Sequence, residues 1–296
     1  MIKKLIHKVI SLAEKTTGRN ILIIPNEQKS RMTAVKSDLG FWYSGDVFNK
    51  SDIAHGIYRN GVVEPEETKI VLQLLTHIRS EKPFYFYDIG ANSGYYGITA
   101  AFTGEQKTES FFFEPLAEYV SLINETIDLN SLSSVTNVFP TALGDKNTTA
   151  EIQISGSGSS LVPAFLGNTN KLPVREIPVA TLDTIVQEKR IPEPDFIKID
   201  VEGFEHQVLL GGLKTITNAH PVLFIEIARS LNSNNQNFSN PNHDAIFDLL
   251  TELGYNAFIV QDGLHPVTKS TAADGVFMYL FMHSDTAEHT TFKYNP

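Results

Sequence analysis

The feature that most constrains the fold is a regular alternation of short apolar segments with amphipathic segments between residues 64 and 283. Phe84 to Asp88 and Ser110 to Glu114 are typical of buried strands, and each precedes a segment whose apolar residues recur at helical spacing. Strands that alternate with helices pair in parallel, because each helix returns the chain to the same edge of the sheet. The sequence therefore predicts an α/β domain with a mostly parallel sheet and helices on both faces.

The pattern continues with five more predicted strands and an irregular middle segment. The strands are Val135 to Phe139, Asp195 to Asp200, Pro221 to Glu226, Tyr255 to Gln261 and Gly275 to His283. The last two have no helix between them, so they must pair antiparallel. Between residues 140 and 180 the helical rhythm lapses, and Glu151 to Ile154 and Arg175 to Val179 indicate a hairpin or two edge strands.

Composition narrows the classes of function. The 24 Lys and Arg residues against 34 Asp and Glu residues give a net charge of −10, which argues against a nucleic-acid partner, since such partners need their phosphates neutralised. The chain has no cysteine, so disulfides, thiolate zinc sites and cysteine nucleophiles are excluded. The expected location is therefore the cytoplasm.

The N-terminal segment is predicted separately from the α/β domain. No apolar run approaches the roughly 18 residues of a transmembrane helix. Within residues 1–12, apolar side chains fall on one helical face and lysines off it, which indicates either a helix at a membrane surface or a helix packed on its own domain. We predict an extension over residues 1–60, with a helix and irregular or short strands, followed by the α/β domain over residues 61–296.

Four predicted strands end on a carboxylate, and this recurrence is the main functional signal in the sequence. The four residues are Asp88, Glu114, Asp200 and Glu226. Ligands of parallel α/β sheets bind beyond the carboxyl ends of the strands. The four side chains are therefore expected to surround one ligand site.

The turn after the first strand, Asp88 to Gly94, indicates the type of ligand. Its glycines permit close backbone approach, but their spacing does not match the G-x-G-x-x-G pattern of a dinucleotide site. Asp88 would repel a pyrophosphate and attract an ammonium group. Glu114, at the end of the next strand, can accept hydrogen bonds from both ribose hydroxyls. The combination predicts a nucleoside with an amino-acid tail and no phosphate, which describes S-adenosylmethionine.

These residues lie in sequence blocks that resemble the FkbM-type S-adenosylmethionine-dependent methyltransferases. The blocks are DIGANSGYY at 88–96, FEP at 113–115, TALG at 141–144, TLD at 181–183 and IKIDVEGFE at 197–205. The resemblance covers the chain from Gly61 to Met282, while the Asn-rich segment Ser230 to Asn242 departs from it. It implies the class I methyltransferase fold, a Rossmann-like seven-stranded sheet with an antiparallel last strand. It also implies methyl transfer to a hydroxyl oxygen, typically on a sugar or polyketide.

The resemblance also implies positions for the cofactor. The methionine end would be surrounded by Asp88, Gly90, Asn92 and Gly94, the ribose would be bound by Glu114, and the adenine would be flanked by Ala142 and Leu143. The wider cofactor prediction adds Ala91, Ser93, Tyr95, Pro115, Ser160 and Asp200. Packing in the core is the alternative for Tyr95, and solvation is the alternative for Ser160, which lies in a Gly/Ser loop.

The carboxylates Asp200 and Glu226 are the predicted catalytic pair. Transfer to an alcohol needs a group that receives the hydroxyl proton. One carboxylate could serve as the base, or both could hold a divalent cation such as Mg²⁺ that lowers the pKa of the hydroxyl. Glu202 and His243 are further candidates, with helix capping and a structural role as their respective alternatives.

Two other functions remain open at this point. A NAD-dependent oxidoreductase uses a similar sheet, but the glycine spacing disfavours it. A binding protein without catalysis would keep the nucleoside site, but it has no need of Asp200 and Glu226. The predicted acceptor is a small molecule or glycan with a free hydroxyl.

Overall fold

The computed structural model describes residues 18, 20–24, 32–78, 83–104, 107–162, 172–228, 240–260, 264–271, 278–286 and 292. Within these ranges the strands are β1 (Ile21–Ile24), β2 (Met32–Lys36), β3 (Trp42–Gly45), β4 (Phe84–Ile89), β5 (Thr108–Phe113), β6 (Thr136–Phe139), β7 (Ala142–Leu143), β8 (Thr148–Gln153), β9 (Val174–Ala180), β10 (Phe196–Ile199), β11 (Val222–Glu226), β12 (Tyr255–Val260), β13 (Leu264–Val267) and β14 (Met278–His283). The helices are α1 (Ile53–Asn60), α2 (Pro65–Ile78), α3 (Tyr95–Thr103), α4 (Ala117–Leu129), α5 (Leu182–Lys189), α6 (Glu205–Gly211), α7 (Leu213–Ala219) and α8 (His243–Glu252).

The main sheet has eight strands in the order β13-β12-β14-β11-β10-β4-β5-β6. Strands β6, β5, β4, β10 and β11 are parallel to their neighbours in this series. β14 lies between β11 and β12 and is antiparallel to both. This arrangement confirms the class I methyltransferase fold, including the antiparallel last strand.

The predicted number of seven strands is wrong by one. β13 pairs antiparallel with β12 and forms an extra edge. It has only four residues and contains Pro266, which occurs in sheets mainly at edges, so it lacks the longer alternation by which strands are found in a sequence.

The two faces of the main sheet are covered by different layers. Along β4, Phe84 and Phe86 belong to the core that includes α2, α3 and α4, whereas Tyr87 and Ile89 belong to the core that includes α5 to α8. This alternation follows from the period of two in a strand. None of the helices in the described part of the chain has the length and apolar character that crossing a membrane requires.

The N-terminal strands β1, β2 and β3 form an antiparallel sheet that packs against the α/β layers. Phe41 and Tyr43 are fully buried and share a core cluster with Tyr95. The Tyr43 hydroxyl donates to Ser93 Oγ at 2.7 Å, and the Ser44 hydroxyl donates to Glu125 at 2.8 Å. The division at residue 60 stays a prediction, and the helix predicted within residues 1–12 lies outside the described residues.

A small third sheet, in the order β7-β9-β8, forms from the segment predicted as a hairpin or edge strands. β8 and β9 pair antiparallel, and β7 pairs parallel with β9. Three helices in the described residues had no predicted counterpart, namely α1, α5 and α7. Each has only seven or eight residues, which is too short for a helical period to stand out.

A cavity at the carboxyl edge of the main sheet

A cavity of about 270 Å³ lies at the carboxyl ends of the central parallel strands. Among the residues that line it are Gly90, Ala91, Asn92, Tyr95, Tyr96, Glu114, Pro115, Ala142, Leu143, Lys198, Asp200, Glu202 and Glu226. The cavity thus brings together eleven predicted site residues from both halves of the sheet. Those that do not line it are Asp88, Ser93, Gly94, Ser160 and His243.

The turn between β4 and α3 packs directly against the end of β10. Gly90 has a φ of +72°, and a Cβ atom there would lie 1.9 Å from the carbonyl oxygen of Asp200. Asn92 has a φ of +50°, a left-handed conformation that asparagine tolerates better than most residues. The sequence between Asp88 and Gly94 therefore supplies the residue types that this tight turn requires.

Asp88 lies beneath the turn and does not face the cavity. It is 1% exposed, and its Oδ2 accepts a hydrogen bond from the Gly97 amide at 2.8 Å. Burial raises the pKa of Asp88 to about 6. In the sheet register Asp88 is the partner of Lys198 on β10. The structure therefore places this carboxyl as an anchor for the start of α3.

Glu114 lies at the cavity wall and is fixed by two backbone amides. Its Oε2 accepts from the amide of Asn92 at 2.9 Å, and its Oε1 accepts from the amide of Leu116 at 2.8 Å. Burial raises the pKa of Glu114 to about 7, although both hydrogen bonds act in the opposite direction. Each carboxylate oxygen keeps a further lone pair. Glu114 is therefore a rigid acceptor for hydroxyl groups of a ligand.

The walls near Glu114 are apolar on one side and serine-rich on the other. Ala142 and Leu143 line the cavity, as do Ser157 and Ser159. Ser160 is buried, and its hydroxyl donates to the backbone oxygen of Glu202 at 2.6 Å. Ser160, which was predicted to approach the cofactor, thus holds the serine loop against the turn after β10. Its neighbours Ser157 and Ser159 line the cavity.

The opposite half of the cavity holds three carboxyl groups, which we call the carboxylate cluster: Asp200, Glu202 and Glu226. One oxygen from each lies within 4.8 Å of the others. Asp200 follows β10 and Glu226 ends β11, as predicted from neighbouring strands. Glu202 has a φ of +53° in the turn that follows Asp200, and it also lines the cavity.

The three carboxyl groups differ in their pKa values. Burial acts to raise the pKa of Asp200, but the Lys198 ammonium and a hydrogen bond with Glu226 outweigh it and hold this pKa below its usual value. The charge of Asp200, together with burial, raises the pKa of Glu226 well above its usual value. Burial, followed by the charge of Asp200, raises the pKa of Glu202 to about 8. The surroundings therefore favour the ionised form of Asp200 and the protonated form of Glu226.

Lys198 is the residue of this site that sequence reasoning missed. Its Nζ lies 2.8 Å from Asp200 Oδ2, and its side chain is 5% exposed. Its ammonium also lies 4.9 Å from the centre of the Tyr96 ring. The available signal was a charged residue in the middle of an otherwise apolar strand, Phe196 to Ile199, where burial of an unpaired charge would be costly.

The carboxylate cluster has the spacing of a cation site, but its donors do not fit a divalent ion well. Lys198 already binds Asp200, and Glu226 is hydrogen-bonded to Asp200. An ammonium and a divalent ion at the same carboxylate would repel each other strongly. The residues present therefore do not fit a divalent ion.

His243, a predicted catalytic candidate, does not line the cavity, and Asn240, near the end of the Asn-rich segment, binds a buried carboxyl group. His243 is 6% exposed, its Nδ1 lies 2.9 Å from Asp244 Oδ1, and its ring packs on Phe247. Asn240 donates to the buried carboxyl of Glu205, which also accepts from the backbone amides of Val201 and Gly203. Residues 230–239 of the Asn-rich segment lie outside the described residues.

The residues present fit a nucleoside with a positively charged tail. Glu114 can accept from a ribose diol, Ala142 and Leu143 offer an apolar surface to a base, and the carboxylate cluster offers negative charge to the tail. The half of the cavity near Glu114 lies at the end of β5, and the half with the carboxylate cluster lies at the ends of β10 and β11. The carboxyl end of β4 separates the two halves, because β5 and β10 flank that strand. The glycine turn at this point leaves room for a ligand that crosses from one half to the other.

Comparison with known proteins identifies related sequences and structures. The profile described as "Methyltransferase FkbM domain" matches residues 88–257. The hexuronic acid methyltransferase AglP of Haloferax volcanii is 28% identical over 152 residues, which are 50% of this chain and 56% of AglP. The chain therefore matches little more than half the length of this relative.

Two solved structures are also similar. The methyltransferase FkbM from Methylobacillus flagellatus has a TM-score of 0.44 at 18% identity, over 70% of this chain and 46% of that chain. An O-methyltransferase from Bacillus cereus in complex with SAH has a TM-score of 0.42 at 15% identity, over 74% of this chain and 80% of that chain.

Proposed function

The chain belongs to the FkbM methyltransferase family, and from this premise we propose that it transfers a methyl group from S-adenosylmethionine to a hydroxyl oxygen of a sugar, a glycan or a glycosylated metabolite. The family resemblance of the sequence blocks is thereby confirmed. The observation that carries the proposal is that one cavity joins the amide-fixed Glu114 to an ionised Asp200. When bound, S-adenosylmethionine supplies a methyl group on a positively charged sulfur.

Residues in the half of the cavity near Glu114 would hold the nucleoside of the cofactor. Glu114 would accept hydrogen bonds from the ribose hydroxyls, and Ala142 and Leu143 would pack against the adenine. Asp200 lies across the turn from these residues, where its negative charge favours the positively charged sulfur. Gly90 permits this arrangement because a larger residue would push the turn away from Asp200.

In this proposal, Asp200 acts on the acceptor. It is the ionised carboxylate of the cluster, so it can receive the proton that the acceptor hydroxyl loses when its oxygen takes the methyl group. Glu226 and Glu202 would align the acceptor by hydrogen bonds, which brings its oxygen in line with the methyl group. The carboxyl groups also suit a ligand rich in hydroxyl groups, because each oxygen can accept from a hydroxyl.

We expect S-adenosylmethionine to bind and NAD not to bind. The carboxylates around the turn would repel the pyrophosphate of NAD, whereas they favour the sulfonium and ammonium groups of S-adenosylmethionine. Isothermal titration calorimetry with each ligand measures both affinities. Tight NAD binding without a response to S-adenosylmethionine would favour the oxidoreductase interpretation and contradict the proposal.

Replacing Glu114 by glutamine should weaken binding of S-adenosylmethionine roughly 10- to 100-fold. The amide NH₂ group would face a backbone N–H group of Asn92 or Leu116, and a charged hydrogen bond to the ribose, worth about 1.5–3 kcal/mol, would be lost. Glu118→Gln is the matched control. Glu118 lies in the first turn of α4, four residues after Glu114, but it is about half exposed and pairs with Arg175. Calorimetry should show an unchanged affinity for Glu118→Gln, and equal losses in both variants would exclude a specific role for Glu114.

The chemistry of the methylated product tests the proposed acceptor. AglP is named for a hexuronic acid, whose hydroxyl and carboxyl groups are both possible methyl acceptors. Incubation of the enzyme with methyl-labelled S-adenosylmethionine and a glycan extract should place label in an ether, which resists mild alkali. Release of the label by mild alkali would instead show an ester and exclude transfer to a hydroxyl. Cofactor binding without any labelled product would favour the non-catalytic alternative.

A further inference from the structure

Lys198 carries a buried positive charge at the centre of the main sheet, and the proposed reaction leaves this charge without a role. Among the described residues that line the cavity, it is the one cation beside five acidic side chains, Glu64, Glu114, Asp200, Glu202 and Glu226. A buried charge is costly unless it is paired. A lysine at this position therefore implies a specific task in the cavity.

The ammonium of Lys198 is held from several directions. It binds Asp200 Oδ2 at 2.8 Å, and the Tyr96 ring lies at 4.9 Å from it. The Tyr96 hydroxyl donates to Glu64 Oε2 at 2.6 Å, so the ring itself is fixed. On the neighbouring strand, Asp88 is the register partner of Lys198. These contacts leave the ammonium little freedom to move away from Asp200.

We propose that Lys198 is a positioning residue that acts as the resident cation of the carboxylate cluster: its ammonium holds the Asp200 carboxylate toward the acceptor and occupies the place that a divalent ion would otherwise take. The statement about the acceptor rests on the proposed function. The statement about the cation is independent of the proposed function, because it requires only that the Lys198 ammonium occupies the carboxylate oxygens of the cluster.

Two features of the geometry support this role. The three carboxyl groups come within 4.8 Å of one another, which is the spacing at which oxygen ligands gather around one cation. Lys198 binds Asp200, which directly follows β10. The backbone oxygen of Asp200 packs against the turn after β4, since a Cβ atom on Gly90 would lie 1.9 Å from it. Holding Asp200 therefore fixes the carboxylate cluster relative to the cofactor turn.

Manganese binding tests the proposal without any acceptor or methyl transfer, so its failure is distinguishable from failure of the proposed function. We would titrate Mn²⁺ into each purified protein and follow the signal of free Mn²⁺ by electron paramagnetic resonance. The wild type should leave Mn²⁺ free, whereas Lys198→Ala should bind it at least tenfold more tightly. Lys198→Arg, which keeps the charge, should behave as the wild type, and so should the control Lys214→Ala at an exposed position.

The double variant Lys198→Ala/Asp200→Asn should lose the acquired Mn²⁺ binding, which would locate the ion at the carboxylate cluster. Tight Mn²⁺ binding by the wild type, or no gain in Lys198→Ala, would overturn the proposal. Should Lys198→Ala lose its fold by circular dichroism, Lys198→Met keeps the apolar stem and takes its place. Should Lys198→Met unfold as well, the double variant Lys198→Met/Asp200→Asn should fold, because the unpaired negative charge of Asp200 is gone. A double variant that is also unfolded would contradict the pairing of Lys198 with Asp200.

Discussion

Replacing Asp200 by asparagine should lower the rate of methyl transfer roughly 100-fold or more, since general-base catalysis contributes about 10²–10⁴-fold. The substitution keeps the shape of the side chain but removes the group that receives the proton. The Lys198 ammonium, which lies 2.8 Å from Asp200 Oδ2, would lose its negatively charged partner. Initial rates at saturating S-adenosylmethionine, with the acceptor found by labelling, measure the effect. Calorimetry on the same variant separates lost catalysis from lost cofactor binding.

Glu226→Gln is the matched comparison for Asp200→Asn. The charge of Asp200 and burial favour the protonated form of Glu226, so an amide in its place preserves a donor toward Asp200, and a smaller loss of rate is expected. If Asp200→Asn transfers methyl groups at the wild-type rate, Asp200 has no part in the reaction. The base would then have to be sought at Glu202 or Glu226.

Replacing Gly90 by alanine should destabilise the fold by about 3–5 kcal/mol and abolish measurable cofactor binding. The added Cβ would lie 1.9 Å from the Asp200 carbonyl oxygen, which is a backbone atom and cannot rotate away. The turn would have to leave the end of β10, and this movement would separate the two halves of the cavity. Urea unfolding measures the free energy, and calorimetry with S-adenosylmethionine measures the binding.

Gly156→Ala isolates the contribution of the close approach. Gly156 also has a positive φ, +64°, but no atom lies within 4 Å of a Cβ built there. Its substitution should cost only the backbone strain, about 1 kcal/mol. Equal destabilisation by the two substitutions would show that strain alone, and not contact with Asp200, makes glycine necessary at position 90.

The order of the main sheet was predictable because its signals are local and its rules are general. The buried strands ending near Asp88, Glu114 and Glu226 each carry an apolar run before a helix, and chain reversal by helices enforces parallel pairing. β13 was not predictable on this basis, because four residues with a proline carry no period. The helix α5 is similarly short, although Thr181 caps it through the amide of Thr184.

The carboxyl edge was predictable, but the direction of each side chain was not. Asp88 was expected to end its strand, yet β4 continues through Ile89. Side chains alternate between the faces of a strand, so one residue decides which surroundings a carboxyl group meets. Asp88 consequently shares a register position with Lys198 beneath the turn. The partner of a buried charge depends on strand register, which the sequence of one strand does not contain.

The position of β14 has a consequence for how this protein can be divided. The family profile ends at residue 257, but β14, at residues 278–283, lies between β11 and β12 within the sheet. The profile also begins at residue 88, after most of β4. It leaves out all of β3, whose Tyr43 hydroxyl donates a hydrogen bond to Ser93. A fragment cut to the recognisable homology would expose two unpaired strand edges in its interior and aggregate. The segment that the family profile matches is thus shorter than the segment that forms the main sheet.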